Sequence, residues 1–550
     1  MDILDSVFQL WELTNPELAY KAGVPGAAGR FFLRTEDSLE HVRRTTAEIE
    51  ASIDEVSDDH LRATACSLVR SIRSRAEHVR PYDVIGGAAT GLHVFLFKGE
   101  ADDQIIISYL RQVSEAVKID ASRWENAQLS IESKRHLYSE QQYLLKMLDV
   151  LSKRESSAAQ TELPRAVESL SPLLEPYSQL CCEDGIETSD IDELISLLEA
   201  RDTAPDTLPG YRALLKDRYD FPLEPEQMRQ TALSWLDEEL SRLRPLIKMF
   251  SARYDVQSDF ESVYDEISTR NKIEQDVVTV AANVAGALNA YTAKKWLVLT
   301  AMDQVEIVAT PDYLEELTTE GMVESFDDLT DHPHQRCYLT RSKNESYLTL
   351  LNVLVHEFAH GFQNLLTFRQ SGHLLLKISS DIKAPIMEGI GFHREWELYE
   401  EAHSLLRRTA LQPEEEHLLG LFGSTSDEQA GRIEEFEYET RLWRIARFLR
   451  VICDVDVHLG RQTYSGFLNW AYAHTGFSKR RIHQYCFNFL RDPGYANCYA
   501  VPGMWLANMQ EKARRQGYSR QEFNTVASSI GFYPWTSFEQ QLNLRFHLTQ

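Results

Sequence analysis

Two histidines stand four residues apart in His356-Glu357-Phe358-Ala359-His360, inside the apolar run SYLTLLNVLVHEFAHGFQNLL. One helical turn takes roughly 3.6 residues, so His356 and His360 project from the same face and both imidazoles can converge on one ion. Neutral imidazole suits Zn2+. Glu357 adjoins the first histidine, so its carboxylate can face a water at the metal without binding the ion itself. From there it would take the water's proton and pass it to a leaving nitrogen. The chemistry this string points to is hydrolysis of an amide bond.

A catalytic zinc needs a third protein ligand and one open position. A helix expected from Pro385, PIMEGIGFHREWELYEEAHSLL, offers Glu388, 28 residues past His360. Glu395 follows seven residues later, two turns along the same face, where it can accept from a ligand imidazole and orient it. His393 competes with Glu388 for the third position, although it is rotated from it by about 140° on a helix of ~100° per residue.

These residues need rigid elements beneath them. Leu350, Leu351, Val353, Leu354 and Phe358 would pin the first helix in a core. Most of the chain shows the same three- and four-residue apolar recurrence, as in SLEHVRRTTAEIEASIDEV, HLRATACSLVRSIRSRAEHV and EQMRQTALSWLDEELSRLRPLIKMF. The last of these starts after Pro222 and Pro225, with Glu226 in its first turn to complement the helix dipole. Strand signals cluster between about 296 and 341, in WLVLTA, VEIVATP and RCYLTR, and helix resumes at about Tyr347. The polar stretch 152–164, ended by Pro164, and RDTAPDTLPG at 201–210 read as linkers. The expected architecture is mainly α-helical, with a small β-sheet just before the helix that carries the chemistry. RCYLTR is the expected sheet edge, where an extended peptide could add as a strand along Cys337–Thr340, with Tyr338 beside it.

The 550 residues allow two to four domains, or one large lobed unit. Hydrophobic residues make up 43 % and charged residues 26 %, the balance of a globular protein. With 57 Lys and Arg against 84 Asp and Glu, the formal charge is −27. That balance excludes nucleic acid and anionic membrane surfaces as expected partners, because affinity for both comes from Lys and Arg. No run approaches the ~20 apolar residues that span a bilayer, and the acidic start does not read as a signal peptide, so a cytoplasmic location is expected. Seven cysteines form no C-x-x-C pair, which fits inert thiols in a reducing compartment.

HEFAH followed by EGIGFHRE resembles the gluzincin metallopeptidases, in which two histidines and a later glutamate hold zinc. By layout the chain is similar to the thimet-oligopeptidase and Taq-carboxypeptidase families. The resemblance extends to a bacterial family of metallopeptidase-like proteins of unassigned function. It is carried by YRALLKDRYDFPLEPEQ, VEIVATPDYLEEL, RIARFLRVICDVDVH and RDPGYANCYAVPG, which together cover most of the chain from about 205 to 540. It implies a deep cleft between two helical lobes, an N-terminal one at 1–205 and a catalytic region at 206–550. It implies one zinc per chain on His356, His360 and Glu388, and a short peptide or peptide-like small molecule as substrate. Asp454 and His458 match the family's Asp-x-x-x-His pattern, and Pro493, Gly494 and Tyr499 its proline-glycine motif. The resemblance thereby nominates Tyr499 and His458 as oxyanion donors and Arg447 or Arg450 as the partner of a substrate carboxylate.

The chain departs from that family in two places. The family's longer insert ending in Pro-Gly-His-His is replaced here by regular spacing, with Gly361 and Gln363 after His360. His393 stands where the family tends to place a tyrosine, which points to an altered substrate pocket. The leading expectation is a zinc peptidase. The alternatives are an amide hydrolase that tailors a small metabolite and a binding protein on a retired peptidase fold. Glu357 argues against the last, since it has no task in a closed structural site, and no cysteine stands near HEFAH to close one.

Overall fold

Apolar residues at helical spacing form helices along most of the chain, and a computed structural model shows how they pack. It describes residues 2–548 apart from 78, 100, 154–161, 203, 205, 301–302, 331–332 and 371. The linker expected at 152–164 thus lies mostly outside the described residues, as do two positions of the one at 201–210. The protein is mainly helical with a small three-stranded sheet.

Three apolar cores organise the fold. Helices Ile3–Thr14, Glu36–Ser52 and Asp59–Glu77 share Val7, Trp11, Val42 and Leu68, and take in Leu375, Ile378 and Ile382 from far along the chain. Helices Asp83–Lys98, Asp103–Trp124 and Ile131–Ser152 enclose Tyr109, Leu144 and Tyr177, closed by Phe326 and Tyr338 from the sheet. The largest core lies beyond residue 206 but includes Ile186, Leu194 and Leu198. Burial therefore crosses residue 205 in both directions.

The sheet consists of β1 (Glu306–Ala309), β2 (Gly321–Phe326) and β3 (His334–Leu339) in the order β1-β3-β2. β1 runs parallel to β3, with Val308 opposite Tyr338, and β2 runs antiparallel, with Val323 opposite Cys337. Two expectations are corrected here. Residues 296–300 of WLVLTA form no strand, because the preceding helix continues as a wide turn through Trp296, and Trp296 and Leu297 are buried in the main core. RCYLTR lies on the middle strand, paired on both sides, so its backbone has no free edge for a peptide. GMVESF supplies β2 instead, and its glycine start and mixed pattern hide it from a periodicity reading.

Five helices frame the chemistry: α1 (Pro225–Tyr254), α2 (Tyr347–Gln370), α3 (Ala384–Leu405), α4 (Ser426–His458) and α5 (Asn497–Arg515). α2 starts at Tyr347 and is buried on almost every face, polar positions included. α3 starts one residue before Pro385, where a missing N–H costs nothing. α4 opens with a capping box in which Thr425 and Glu428 satisfy each other's backbone N–H.

Gly391 permits the close contact of α2 and α3. A Cβ there would lie 2.6–2.9 Å from three atoms of the His356 ring. Gly391→Ala should therefore destabilise the fold by about 1–3 kcal/mol through overpacking and displace His356. By contrast, a Cβ on exposed Gly286, within helix Val277–Tyr291, meets nothing within 4 Å, so Gly286→Ala should stabilise by about 0.5–1 kcal/mol. Urea unfolding of the two variants checks the pair, and equal effects would refute the packing argument.

Candidate metal centre

α2 projects both histidines inward, with the Nε2 atoms of His356 and His360 2.9 Å apart. From the first turns of α3, Glu388 brings Oε2 to 3.3 Å from His356 Nε2 and 3.4 Å from His360 Nε2. Four ligands placed tetrahedrally at ~2.0–2.1 Å from zinc stand about 3.3 Å from one another. The three donor atoms therefore have the separation of zinc ligands. Ligand atoms of His356, Glu357 and His360 also fall within 4.8 Å of one another, so Glu357 borders the same point.

Each side chain is held from behind. Glu395 Oε1 lies 2.7 Å from His356 Nδ1. A carboxylate only accepts, so Nδ1 carries a proton, and once His356 gives up its other proton Nε2 faces the cluster with a lone pair. Arg447 Nη2 donates to that same oxygen at 2.6 Å. Tyr495 donates to Glu388 Oε1 at 2.6 Å, and Tyr499 donates to the Tyr495 hydroxyl at 3.2 Å. The Tyr499 ring stacks near His356, with centroids 6.2 Å apart. Glu357 Oε2 accepts from the Val323 N–H on the edge strand β2 at 2.7 Å.

The electrostatics follow from burial and partners. Burial lowers the basicity of His356, but hydrogen bonds to Glu388 and Glu395 more than offset this and push it up to about 9. Burial alone would raise Glu388, yet the adjacent histidines hold it well below the usual carboxylate range. Burial pushes Glu357 up, the direction that makes a carboxylate a better base. Burial also raises both tyrosines well above their usual value, so their hydroxyls remain donors.

The turn Asp492-Pro493-Gly494-Tyr495 aims Tyr495 at Glu388. Gly494 has φ +90°, and its N–H donates to both oxygens of Asp454, at 3.2 and 3.1 Å. Asn497 Nδ2 at 2.6 Å and the Tyr211 hydroxyl complete the shell of that carboxylate.

Four nominated residues do not take the expected roles. His458 sits one turn beyond Asp454, with Nε2 3.3 Å from its Oδ1 and Nδ1 3.4 Å from the Asp206 carbonyl. It packs on Tyr211 and has no contact with the histidine cluster among the described residues. Tyr338 points the other way from Cys337, as strand alternation requires, and donates to the Phe97 carbonyl in the N-terminal core. His393 is on the far side of α3, beside a cavity shared with Trp396, Arg444 and Gln510 and 3.6 Å from Glu397 Oε1. It is not a ligand of the cluster. Arg447 is bound to Glu395 and positions His356 through it. Tyr495, Val323 and Gly391 escape the sequence reading, although Tyr495 stands inside the RDPGYANCYAVPG segment.

Among known proteins, no protein-family model matches the chain, and no curated protein matches it. Solved structures do. A proposed lipoprotein from Colwellia psychrerythraea is similar, with a TM-score of 0.65 and 13 % identity over 100 % of this chain and 99 % of that one. A proposed lipoprotein of unknown function from Shewanella oneidensis matches with a TM-score of 0.68 and 13 % identity over 98 % of each chain. At that identity the likeness establishes the fold alone. The expectation of a cytoplasmic chain does not stand, because both neighbours are described as lipoproteins, a class anchored to membranes. Among the described residues, no helix is long and apolar enough to cross a membrane.

Burial, which outweighs the attraction of Glu397, holds His393 down to about 4, against an ordinary value near 6.5 in an unfolded chain. Between those values the unfolded chain binds a proton that the folded chain refuses. Stability is therefore retained above about pH 6.5 and falls as pH drops toward about 4. The urea midpoint of His393→Gln should depend less steeply on pH in that window than that of the wild type; equal slopes would refute the burial argument.

Proposed function

We propose that this chain is a zinc-dependent hydrolase of amide bonds in short peptides, with one zinc per chain on His356, His360 and Glu388. The convergence of three buried donor atoms at 2.9, 3.3 and 3.4 Å, bordered by Glu357, carries the reading. It agrees with the gluzincin resemblance, to which a substrate cleft between helical lobes also belongs.

When bound, zinc would polarise the scissile carbonyl and acidify water. The rest falls to the chain. Glu357, raised by burial and held through Oε2 by the Val323 N–H, takes the water's proton and returns it to the leaving nitrogen. Glu395 and Arg447 fix the tautomer of His356, and Tyr495 fixes Glu388. Tyr499, whose ring lies beside His356, would turn its protonated hydroxyl from Tyr495 to donate to the oxyanion. The metabolite-tailoring alternative rested on an altered pocket at His393, which faces elsewhere.

Metal analysis of the purified protein should give one zinc per chain, and a pool of dipeptides and tripeptides should be hydrolysed. Glu357→Gln should keep zinc and lose about 10²–10⁴-fold in rate. Glu388→Ala should empty the site, whereas Glu395→Ala should weaken zinc binding by roughly 10–100-fold. A zinc-loaded wild type with no turnover on that pool would retire the reading.

A further inference from the structure

The segment YRALLKDRYDFPLEPEQ forms the helix Tyr211–Tyr219 and contributes no atom to the histidine cluster among the described residues. Its last turn carries Arg218, whose side chain is 12 % exposed and faces two carboxylates. Arg218 Nε donates to Asp381 Oδ2 at 2.8 Å, and Nη1 lies 2.7 Å from Asp492 Oδ1. The Tyr219 hydroxyl donates to that same Asp492 oxygen at 3.3 Å.

The two carboxylates stand at the roots of two arms that meet at Glu388. Asp381 opens the short turn Asp381–Lys383, which runs directly into α3, and it lies seven residues before Glu388. Asp492 opens the other turn, closed by the Tyr495 N–H on the Asp492 carbonyl at 3.1 Å, which sends the Tyr495 hydroxyl to Glu388 Oε1 at 2.6 Å. One guanidinium therefore grips both the peptide that carries Glu388 and the peptide that carries its hydrogen-bond donor. The second turn also rests on the helix beneath it. A Cβ on Gly494 would lie 2.8 Å from the Tyr219 ring and 2.9 Å from Leu215.

The two contacts are not equivalent. Burial alone would raise Asp381, yet Arg218 and Arg75 hold it well below the usual carboxylate range. Arg75, from the helix Asp59–Glu77, donates Nη2 to Asp381 Oδ1 at 2.7 Å and makes no ion pair with Asp492. Asp381 thus keeps a cation if Arg218 is lost. Asp492 has no other cation within 4 Å among the described residues. The guanidinium is a rigid fork whose donors point in two directions, which a single ammonium cannot reproduce.

We propose that Arg218 is a positioning residue for the metal centre: by holding Asp381 and Asp492 together it sets Glu388 against the two histidines. The role rests on the reading of His356, His360 and Glu388 as a zinc site. Arg218 touches neither metal nor substrate and acts through the start of α3 and the Tyr495 hydroxyl.

Zinc affinity of the full chain, read by competition with a chromophoric chelator, tests this beside circular dichroism and thermal unfolding of the metal-free proteins. Arg218→Gln should weaken zinc binding by about 3–10-fold, less than the loss of a residue bonded directly to a ligand, and Arg218→Lys should recover part of the affinity. Arg75→Gln, which leaves the Asp492 contact in place, should lower metal-free stability and leave zinc affinity unchanged. In a Tyr495→Phe background, where the hydroxyl that reaches Glu388 is gone, Arg218→Gln should cost less zinc affinity than in the wild type. If Arg218→Gln does not fold, Asp492→Asn cuts the same link from its more exposed end and carries the same comparisons. An equal loss with and without the Tyr495 hydroxyl would overturn the role, as would a loss after Arg75→Gln as large as after Arg218→Gln. Tight zinc in the wild type with no response to Arg218→Gln leaves the metal reading standing and defeats this role alone. A wild type that binds no zinc overturns both. Weakened zinc in Arg218→Gln, in a chain that hydrolyses nothing, supports the role and defeats the hydrolase reading.

Discussion

Glu395 Oε1 accepts from two buried donors, His356 Nδ1 on α2 at 2.7 Å and Arg447 Nη2 on α4 at 2.6 Å. Through this one oxygen α3 ties the other two helices together. Glu395 is 1 % exposed, so its charge is tolerable only because both partners are present. The orientation of His356, and hence the direction of its Nε2, depends on it. So does the placement of Arg447 beside Arg450.

The cluster is a problem in balancing buried charge. α2 buries Asn352, His356, His360, Gln363 and Asn364 along with its apolar positions. α3 supplies carboxylates to meet the histidines, and the Gly494 turn supplies a tyrosine hydroxyl that donates to one of them, Glu388. The same carboxylates that raise His356 also favour a divalent cation at the three donor atoms. Around the Tyr499 ring stand two guanidiniums, Arg447 paired with Glu395 and Arg450 with no carboxylate among the described residues.

Close packing keeps this arrangement rigid. Without a side chain at Gly391, α3 lies directly against the His356 ring. Asp454 holds the backbone of Gly494 in a left-handed turn that a side chain would strain, and so fixes the exit angle of Tyr495. These are backbone devices well away from HEFAH in sequence. Substituting Gly494 would act on the histidine cluster through Tyr495 without touching a donor atom, whereas a Cβ at Gly391 would press on the His356 ring itself.

The sequence by itself determined the helical class, the start of α2 at Tyr347, and the pairing of His356 with His360, because helical periodicity and i,i+4 spacing are local properties. The spacing of Glu388 and Glu395 on one face was legible for the same reason, and His393 fell on the other face as the 140° rotation required. Only the tertiary structure decided which strand forms the sheet edge, since strand order is a long-range choice that no pattern in RCYLTR encodes. It also decided that Tyr495, and not His458, reaches the cluster. Asp454 and His458 share a helix turn, but the direction in which that turn faces is set by Tyr211, Asn497 and the Gly494 loop, contributed from remote parts of the chain.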